Sequence, residues 1–180
     1  MNQLFSKDLY RYYGYEKETL KQKLLRPVDV KFLCVFRKCQ CAKNFLSKKY
    51  YNMRYIHMSR KTHIQIPPDT SIGPGLFIGH TGRVIINHNA KLGKNINIAT
   101  GVTIGQENRG KRKGSPTIAD NVWIGANAVI VGNINIGSDV MIAPNSFVNF
   151  DVPDHSIVIG NPAKIIHREN ATEGYINRCC

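Results

Sequence analysis

Aliphatic residues recur at every sixth position through the middle of the chain. They form three runs: Ile66, Ile72, Ile78 and Val84; Ile86, Leu92, Ile98 and Ile104; Ile118, Ile124, Ile130, Ile136, Ile142 and Val148. A period of six matches neither the 3.6 residues of a helical turn nor the alternation of a long strand. It predicts a β-solenoid of very short strands separated by turns, with three strands in each coil. Stacked coils would then lie about 4.8 Å apart as parallel strands.

The period breaks at two places. Between Val84 and Ile86 the phase shifts by two residues, close to His80. After Ile104 the pattern resumes only at Ile118, so this interval is longer than two hexads, and it contains the basic segment QENRGKRKGSP. This segment, residues 106–116, is predicted to project from the solenoid as a loop. Loops that leave a rigid scaffold are common places for binding residues.

The first part of the chain lacks the six-residue period and is predicted to be helical. Breaker residues and apolar spacing indicate helices over residues 6–13 and 16–25 and one or two helices over residues 28–57, with Ser6 as the first N-cap. The predicted division is a helical segment 1–63, a solenoid domain 64–168 and a C-terminal tail 169–180.

The chain is strongly basic, with a formal net charge of +13. Between Lys21 and Lys61 there are twelve Lys or Arg residues and one acid, with tyrosines interleaved. This pattern suits an anionic membrane surface better than single-stranded nucleic acid, which we do not expect as a partner. The simplest interpretation is a solvated basic face on helices that pack against the solenoid or a sister subunit.

The composition also favours some compartments and sites over others. No apolar run reaches the roughly 18–20 residues that cross a bilayer, and the first residues lack the order of a secretory signal. We therefore predict a cytoplasmic location. The five cysteines, three of them at Cys34, Cys39 and Cys41, do not form the pattern of a secreted disulfide framework. Without a second ligand cluster at suitable spacing, we expect no metal site.

Four segments resemble the left-handed β-helix acyltransferases: IPPDTSIGPGLFIGHTGRVII, NIATGVTIGQ, VWIGANAVIVGNINIG and VPDHSIVIGNPAKII. The likeness covers about residues 64–166 and is closest to the serine O-acetyltransferase branch. It implies a mainly β fold, a left-handed parallel β-helix of about five coils with a small α-helical N-terminal segment. It also implies acetyl-CoA as acyl donor and a homotrimer with active sites between neighbouring prisms.

The resemblance places the catalytic base at the histidine of IGHTG, which is His80. A neutral imidazole can take the proton of an acceptor hydroxyl as it attacks the thioester, and can then protonate the departing thiolate. His88, one coil onward, is a weaker candidate for a substrate role.

Four positions depart from the serine O-acetyltransferase pattern. The aspartate that orients the base there is replaced by Gln65, whose amide oxygen can orient an imidazole without stabilising its charge. The aspartate immediately before the base is replaced by Gly79. An Arg-His pair that closes the projecting loop is replaced by Gly114 and Ser115. An amino-acid acceptor needs complementary fixed charges, and these positions no longer supply them.

We therefore predict a sugar hydroxyl as acceptor, as in the related enzymes that acetylate capsular polysaccharide, O-antigen or exopolysaccharide. The acceptor can be a glycan or a lipid-linked sugar, met at the inner face of the membrane through the basic helices. One alternative is a serine O-acetyltransferase of cysteine biosynthesis. The other, from a different class, is a hexapeptide-repeat scaffold without catalytic activity.

The resemblance also suggests where acetyl-CoA binds. Ala126 and Pro144 match small positions along which the pantetheine arm runs. Lys164 and Arg168 are predicted to meet coenzyme phosphates, and Arg109 and Lys113 of the projecting loop are further candidates.

Overall fold

A computed structural model of the protein describes residues 3–180. It begins with four helices: α1 (Gln3–Tyr13), α2 (Leu20–Leu24), α3 (Val28–Cys41) and α4 (Phe45–Thr62). Ser6 lies inside α1 and is not its N-cap, so that prediction is wrong. The second helix is shorter than predicted because Thr19 caps it, accepting a hydrogen bond from the Gln22 amide at 3.3 Å. Asn44 caps α4 in the same way and separates it from α3.

Fifteen strands follow, and they form three sheets that we call faces A, B and C. Face A contains β1 (Ile64–Gln65), β4 (Val84–Ile86), β7 (Thr103–Gly105), β10 (Val129–Val131) and β13 (Phe147–Val148). Face B contains β2 (Ser71–Ile72), β5 (Lys91–Leu92), β8 (Thr117–Ile118) and β11 (Asn135–Ile136). Face C contains β3 (Phe77–Ile78), β6 (Asn97–Ile98), β9 (Val122–Ile124), β12 (Val140–Ile142), β14 (Ser156–Gly160) and β15 (Ala163–His167).

The pairing registers give the relative lengths of the coils. On face C, Ile124 pairs with Ile142, and this interval is a regular coil of three hexads. Ile78 pairs with Ile98, and Ile98 pairs with Ile124. The first of these coils is two residues longer than three hexads, and the second is eight residues longer. These are the two interruptions that the sequence predicts.

All strand pairs are parallel except the last, in which β15 returns antiparallel to β14 and closes the far end of face C. Every residue of the three six-residue runs is buried, and so are most residues two positions earlier, such as Val122, Ile134 and Val140. Asn and Asp take left-handed backbone at several turns, at Asn95, Asn121, Asn127, Asp139 and Asn145. Their short polar side chains tolerate this conformation, which explains their place in the repeat.

A fully buried ion pair seats the helices on the first coil. Arg37 of α3 donates from Nε to Asp8 Oδ2 of α1 at 2.7 Å, and both side chains are inaccessible. The Arg37 guanidinium also donates to the carbonyl oxygens of Ile72 (2.9 Å) and Gly73 (2.6 Å), while Asp8 accepts from the Leu76 amide (2.9 Å). Burial raises the pKa of Asp8, and the Arg37 charge opposes that rise. The helices thus cover the open end of the first coil, as a solenoid requires.

The segment after β15, residues 168–180, crosses the prism from the last coil back to α1. Asp139 accepts from the Ala171 and Thr172 amides (both 3.0 Å) and from Thr172 Oγ1 at 2.6 Å. At the other end of the tail, Arg11 Nε donates to the Asn177 carbonyl oxygen at 2.7 Å. The tail is therefore bound to the prism along its length. The division of the chain into domains stays a proposal.

Candidate functional site

The prism has three edges, each a stack of turns. We name them by the faces they join in chain order: the A–B edge, the B–C edge and the C–A edge. The predicted site residues divide among these edges, and this division decides which of them can act together within one chain.

His80 lies on the C–A edge, in the turn between β3 and β4 that contains the two extra residues. Gly82 holds this turn between the end of α4 and the next coil. Its N–H donates to the Thr62 carbonyl oxygen at 3.1 Å, its φ is 144°, and a Cβ there would clash with the Thr100 side chain. The His80 side chain is exposed and has no hydrogen bond or ion pair with another residue of the described range 3–180. The fold therefore presents an unpaired imidazole at a fixed corner.

Ala126 and Pro144 lie on the same edge as His80. Each of the three stands two residues after a buried isoleucine of face C, and so does Thr100 in the coil between. At about 4.8 Å per coil, the Ala126 turn lies roughly 10 Å and the Pro144 turn roughly 14 Å from the His80 turn. A Cβ on Gly125 would lie 2.6 Å from the Pro144 nitrogen, so the two turns are in close contact. The edge is a narrow strip of small residues that leads to the imidazole.

Lys164 lies at the far end of this strip. It pairs in register with Ile159 at the tip of the β14–β15 hairpin. The adjacent Gly160 amide donates to Ser146 Oγ at 3.1 Å, and Ser146 belongs to the turn that contains Pro144. His80, Ala126, Pro144 and Lys164 therefore share one edge, although His80 is not a whole number of hexads from Ala126.

Gln65 and Gly79 lie beside this edge, and neither makes a hydrogen bond to the His80 side chain. Gln65 is exposed in β1, in register with Ile85, and its amide has no hydrogen-bond partner within residues 3–180. A Cβ on Gly79 would meet only the Phe77 ring, at 3.5 Å. Space for a larger side chain therefore exists beside His80. The role of Gln65 in orienting the base stays a prediction.

The other predicted substrate residues lie on the A–B edge. Ser115 Oγ donates to Asn87 Oδ1 at 3.1 Å, so the base of the projecting loop meets the turn that contains His88. The His88 ring is exposed, with Nε2 3.1 Å from Asn89 Nδ2 and Nδ1 3.7 Å from Asp69 Oδ2. The whole of face A separates this pair from His80, so one chain does not bring the two groups together.

The projecting loop also begins on the A–B edge. Glu107 and Gly114 close it with two backbone hydrogen bonds of 2.9 Å. Arg112 bonds to Glu107 at 3.2 Å, while Arg109 and Lys113 are exposed and have no side-chain partner among the described residues. Arg168 lies elsewhere: its amide donates to the His155 carbonyl oxygen at 2.8 Å, on the B–C edge. Of the predicted phosphate contacts, only Lys164 therefore shares the edge of His80.

Sequence reasoning missed two groups. One is Thr100, which stands between His80 and Ala126 and was hidden because the lengthened coil breaks the six-residue count. The other is a cluster on the B–C edge, in which His155 Nδ1 lies 2.9 Å from Asp139 Oδ2 and 3.4 Å from Glu169 Oε2. The hydrogen bond to Asp139, followed by the charge of Glu169, raises the pKa of His155. Only the path of the tail brings Glu169 there.

Comparison with known proteins fits this architecture. The family model "Bacterial transferase hexapeptide (six repeats)" matches residues 115–149. A serine acetyltransferase of Staphylococcus aureus (strain Mu50) is 39% identical over 134 residues, which are 73% of this chain and 63% of that protein. The structure of Neisseria gonorrhoeae serine acetyltransferase in complex with serine superposes with a TM-score of 0.67 at 32% identity, over 91% of this chain and 68% of that one. The chain belongs to the hexapeptide-repeat transferases, as a homologue of serine acetyltransferases.

A further similar structure is that of a serine acetyltransferase in complex with CoA, with a TM-score of 0.71 at 25% identity, over 91% of this chain and 67% of that one. The prediction of a left-handed β-helix with about five coils and N-terminal helices is confirmed by these structures. The narrower resemblance to polysaccharide O-acetyltransferases is not confirmed, because these relatives are serine acetyltransferases. The chain spans 63% of the length of its curated Staphylococcus aureus relative.

Two absences complete the description of residues 3–180. None of their helices combines the length and apolar character that a bilayer crossing needs. No three His, Cys, Asp or Glu side chains in this range come together as a metal site.

Proposed function

We propose that the protein is an acetyl-CoA-dependent O-acetyltransferase whose reaction centre lies on the C–A edge. The observation that carries the proposal is the shared position of His80, Ala126, Pro144 and Lys164 on that edge. An exposed imidazole, a strip of small residues and a terminal ammonium suit a thioester on a long thin arm that ends in phosphates.

In the proposed reaction the acceptor oxygen attacks the thioester carbon while His80 takes the hydroxyl proton. The tetrahedral intermediate then collapses, the carbon–sulfur bond breaks, and His80 returns the proton to the departing CoA thiolate. The products are an O-acetyl ester and free CoA, and His80 is neutral at the start and the end. General-base catalysis of this kind contributes about 10²–10⁴-fold.

L-Serine is the acceptor that the relatives support. The Staphylococcus aureus and Neisseria gonorrhoeae proteins are named serine acetyltransferases, and the second was crystallised with serine. On this proposal, a cytoplasmic protein would acetylate serine for cysteine biosynthesis. It would have to recognise the ammonium and carboxylate groups with residues other than Gly79, Gly114 and Ser115.

A sugar hydroxyl is the second candidate, and one observation favours it. Four positions carry no charged side chain: Gln65, Gly79, Gly114 and Ser115. A neutral sugar needs no charged partner for its recognition, whereas serine does. The open space beside Gly79, where a Cβ meets only the Phe77 ring, leaves room for an acceptor bulkier than serine.

An acceptor assay with two variants tests both candidates. We would measure thiol release from acetyl-CoA with L-serine and with a panel of neutral and acidic oligosaccharides. If serine is the weaker acceptor, Gly79→Asp should raise its kcat/KM by supplying the missing carboxylate, while Gly110→Asp in the projecting loop should not. Rapid turnover of serine by the unchanged protein, with no sugar accepted, would remove the second candidate.

The third alternative, a scaffold without catalytic activity, is separated by binding. Calorimetry with CoA should give saturable binding that Ala126→Tyr weakens. If the folded protein bound no CoA, the acetyltransferase proposal would fail and the scaffold would remain.

We also propose a homotrimer. One chain holds His80 on the C–A edge and the projecting loop on the A–B edge, and these edges can meet only between two copies. Light scattering after gel filtration gives the oligomeric state. A monomer that retains full activity would contradict the proposal.

Contact with the inner face of a membrane is a further part of the proposal. Helix α4 has no acidic residue, and its outward side exposes Phe45, Leu46 and Met53 beside Lys48 and Lys49. Sedimentation with phosphatidylcholine vesicles, with and without phosphatidylglycerol, tests it. We expect binding to the anionic vesicles only, lost in Leu46→Glu/Met53→Glu and kept in the control Ile165→Glu. Equal binding by all three proteins would contradict it.

A further inference from the structure

A pocket between α1, face C and the tail lies outside the proposed reaction centre. Its volume is about 340 Å³, and it is lined by Arg11, Tyr12, Phe77, Asn97, Tyr175 and Arg178. The lining contains two guanidinium groups and no carboxylate.

Arg11 is the unusual member. Its side chain is almost wholly buried, with 4% of the residue exposed, and it has no ion-pair partner within residues 3–180. Its three nitrogens each donate one hydrogen bond to a neutral oxygen: Nε to Asn177 O (2.7 Å), Nη1 to Gly75 O (3.1 Å) and Nη2 to Asn97 Oδ1 (2.6 Å). A guanidinium has five N–H bonds. One N–H on each terminal nitrogen therefore has no acceptor in the described part of the chain.

Burying a charge without a counter-charge is unfavourable. In line with this, burial lowers the pKa of Arg11. The fold nevertheless fixes the guanidinium group. It extends from α1 and donates hydrogen bonds to the turn at Gly75, to strand β6 and to the tail. A guanidinium held rigidly with two free N–H bonds is suited to a bidentate carboxylate.

The rest of the pocket adds a second cation and flat apolar walls. Arg178 is exposed, and its Nη1 donates to the Tyr12 carbonyl oxygen at 2.6 Å. The Tyr12 and Phe77 rings lie with centroids 4.4 Å apart, and Tyr175 packs on Trp123 with centroids 4.9 Å apart. The Tyr12 hydroxyl is already satisfied by the backbone of Ile78 at 2.8 Å, so these rings offer surface more than hydrogen bonds.

We infer that this pocket binds a small carboxylate that carries a flat apolar group, with Arg11 and Arg178 holding the carboxylate and the aromatic rings holding the flat part. The inference uses none of His80, Ala126, Pro144 and Lys164, so it does not rest on acetyl transfer. The pocket lies on the outer side of β3, beside the proposed reaction centre, because the three residues from Phe77 to His80 span at most about 10 Å.

Benzoate is the probe, with benzamide as its neutral isostere and inorganic phosphate as the bare anion. Calorimetry should show saturable binding of benzoate, weaker binding of phosphate and none of benzamide. The Nε–H signal of Arg11 should shift in the NMR spectrum of the benzoate complex. This readout needs no acetyl-CoA, so its failure and the failure of the acetyltransferase proposal are distinguishable.

Three variants localise the site. Arg178→Gln, which changes an exposed side chain, and Arg11→Lys, which keeps the charge without the fork, should each weaken benzoate binding at least about tenfold. Lys43→Gln, an exposed lysine between α3 and α4, is the matched control and should bind normally. If Arg11→Lys fails to fold, Arg178→Gln still decides. Absence of saturable benzoate binding to the wild type, or equal binding of benzamide, would overturn the inference.

Discussion

The C–A and B–C edges of the prism are built from the same repeat, yet one is bare and the other is covered. On the B–C edge, Asn95, Asn121 and Asp139 all hydrogen-bond to partners on neighbouring coils or on the tail. On the C–A edge, His80 has no side-chain partner in residues 3–180, and Pro144 is exposed. The same turn geometry therefore serves two different roles on the two edges. A covered edge contributes stability, whereas an uncovered edge leaves its polar groups free for a ligand.

Removing the imidazole from the bare edge should give the largest effect. We expect His80→Ala to lower kcat by about 10²–10⁴-fold, because the acceptor then has no general base. His155→Ala, which removes a histidine from the covered B–C edge, is the control and should change kcat much less. The thiol-release assay measures both. Equal losses in the two variants would mean that the edges do not differ in function.

A substitution on the covered edge should lower the stability of the protein and leave its activity unchanged. Asp139→Ala removes three hydrogen bonds that hold the tail and should lower the free energy of unfolding by roughly 2–3 kcal/mol, with acetyl transfer retained. Urea denaturation measures the change. Asp69→Ala removes an exposed carboxylate on the A–B edge and should stay within about 0.5 kcal/mol of the wild type. A tail that tolerates Asp139→Ala without loss would contradict our account of the covered edge.

Filling the bare edge should affect coenzyme binding alone. Ala126→Tyr places a large side chain on the strip and should weaken CoA binding at least tenfold, which corresponds to about 1.4 kcal/mol. Asn52→Tyr adds the same side chain to an exposed position of α4 and should leave the Kd unchanged. Calorimetry compares them. Normal CoA binding by Ala126→Tyr would place the coenzyme elsewhere.

The smallest effect is a pH dependence of the covered edge. Because Asp139 and then Glu169 raise the pKa of His155, its contribution to stability is present below about pH 6.5 and is lost as the pH rises through the raised value. Partial burial acts to raise the pKa of Asp139, but hydrogen bonds from Thr172 and His155 outweigh it and leave that pKa low. Asp139 therefore stays charged across this range.

Denaturation of the wild type and His155→Gln between about pH 5 and 9 measures this dependence. The stability difference between them should be largest at low pH and shrink as the pH rises. In an Asp139→Ala background the same pair should show a much weaker trend. A difference that grows with pH would have the wrong sign for a histidine stabilised in its charged form.

Much of the prism could be read from the sequence, because one physical cause produces the pattern. Positions that face the inside of a three-sided coil recur every six residues and must be apolar. The run from Ile118 to Val148 can therefore be assigned to the core from the sequence alone. The shared edge of His80 and Ala126 can also be predicted from the sequence, provided that the two coils between them are allowed to be longer than three hexads. The six-residue count alone loses this relation at both interruptions.

Other features could not be predicted, since they depend on contacts between distant segments. The tail has no period, and its path is set by Asp139 at one end and Arg11 at the other. Asp8 and Arg37 lie 29 residues apart on separate helices, and nothing local indicates that they pair. The sequence left open whether residues 28–57 form one helix or two, because a single capping residue, Asn44, interrupts an otherwise continuous helical pattern.

The tail has a consequence for how the molecule comes apart. A repeat array normally unfolds by fraying, since each coil contacts only its neighbours and the terminal coils have the fewest contacts. In this chain the hydrogen bond from Arg11 to Asn177 and that from Arg178 to Tyr12 join residues 166 positions apart. Unfolding of the last coil would break the hydrogen bonds between the tail and the first helix, and unfolding of that helix would break the same bonds. The array is thereby closed into a ring of interactions and has no free end from which unfolding can start.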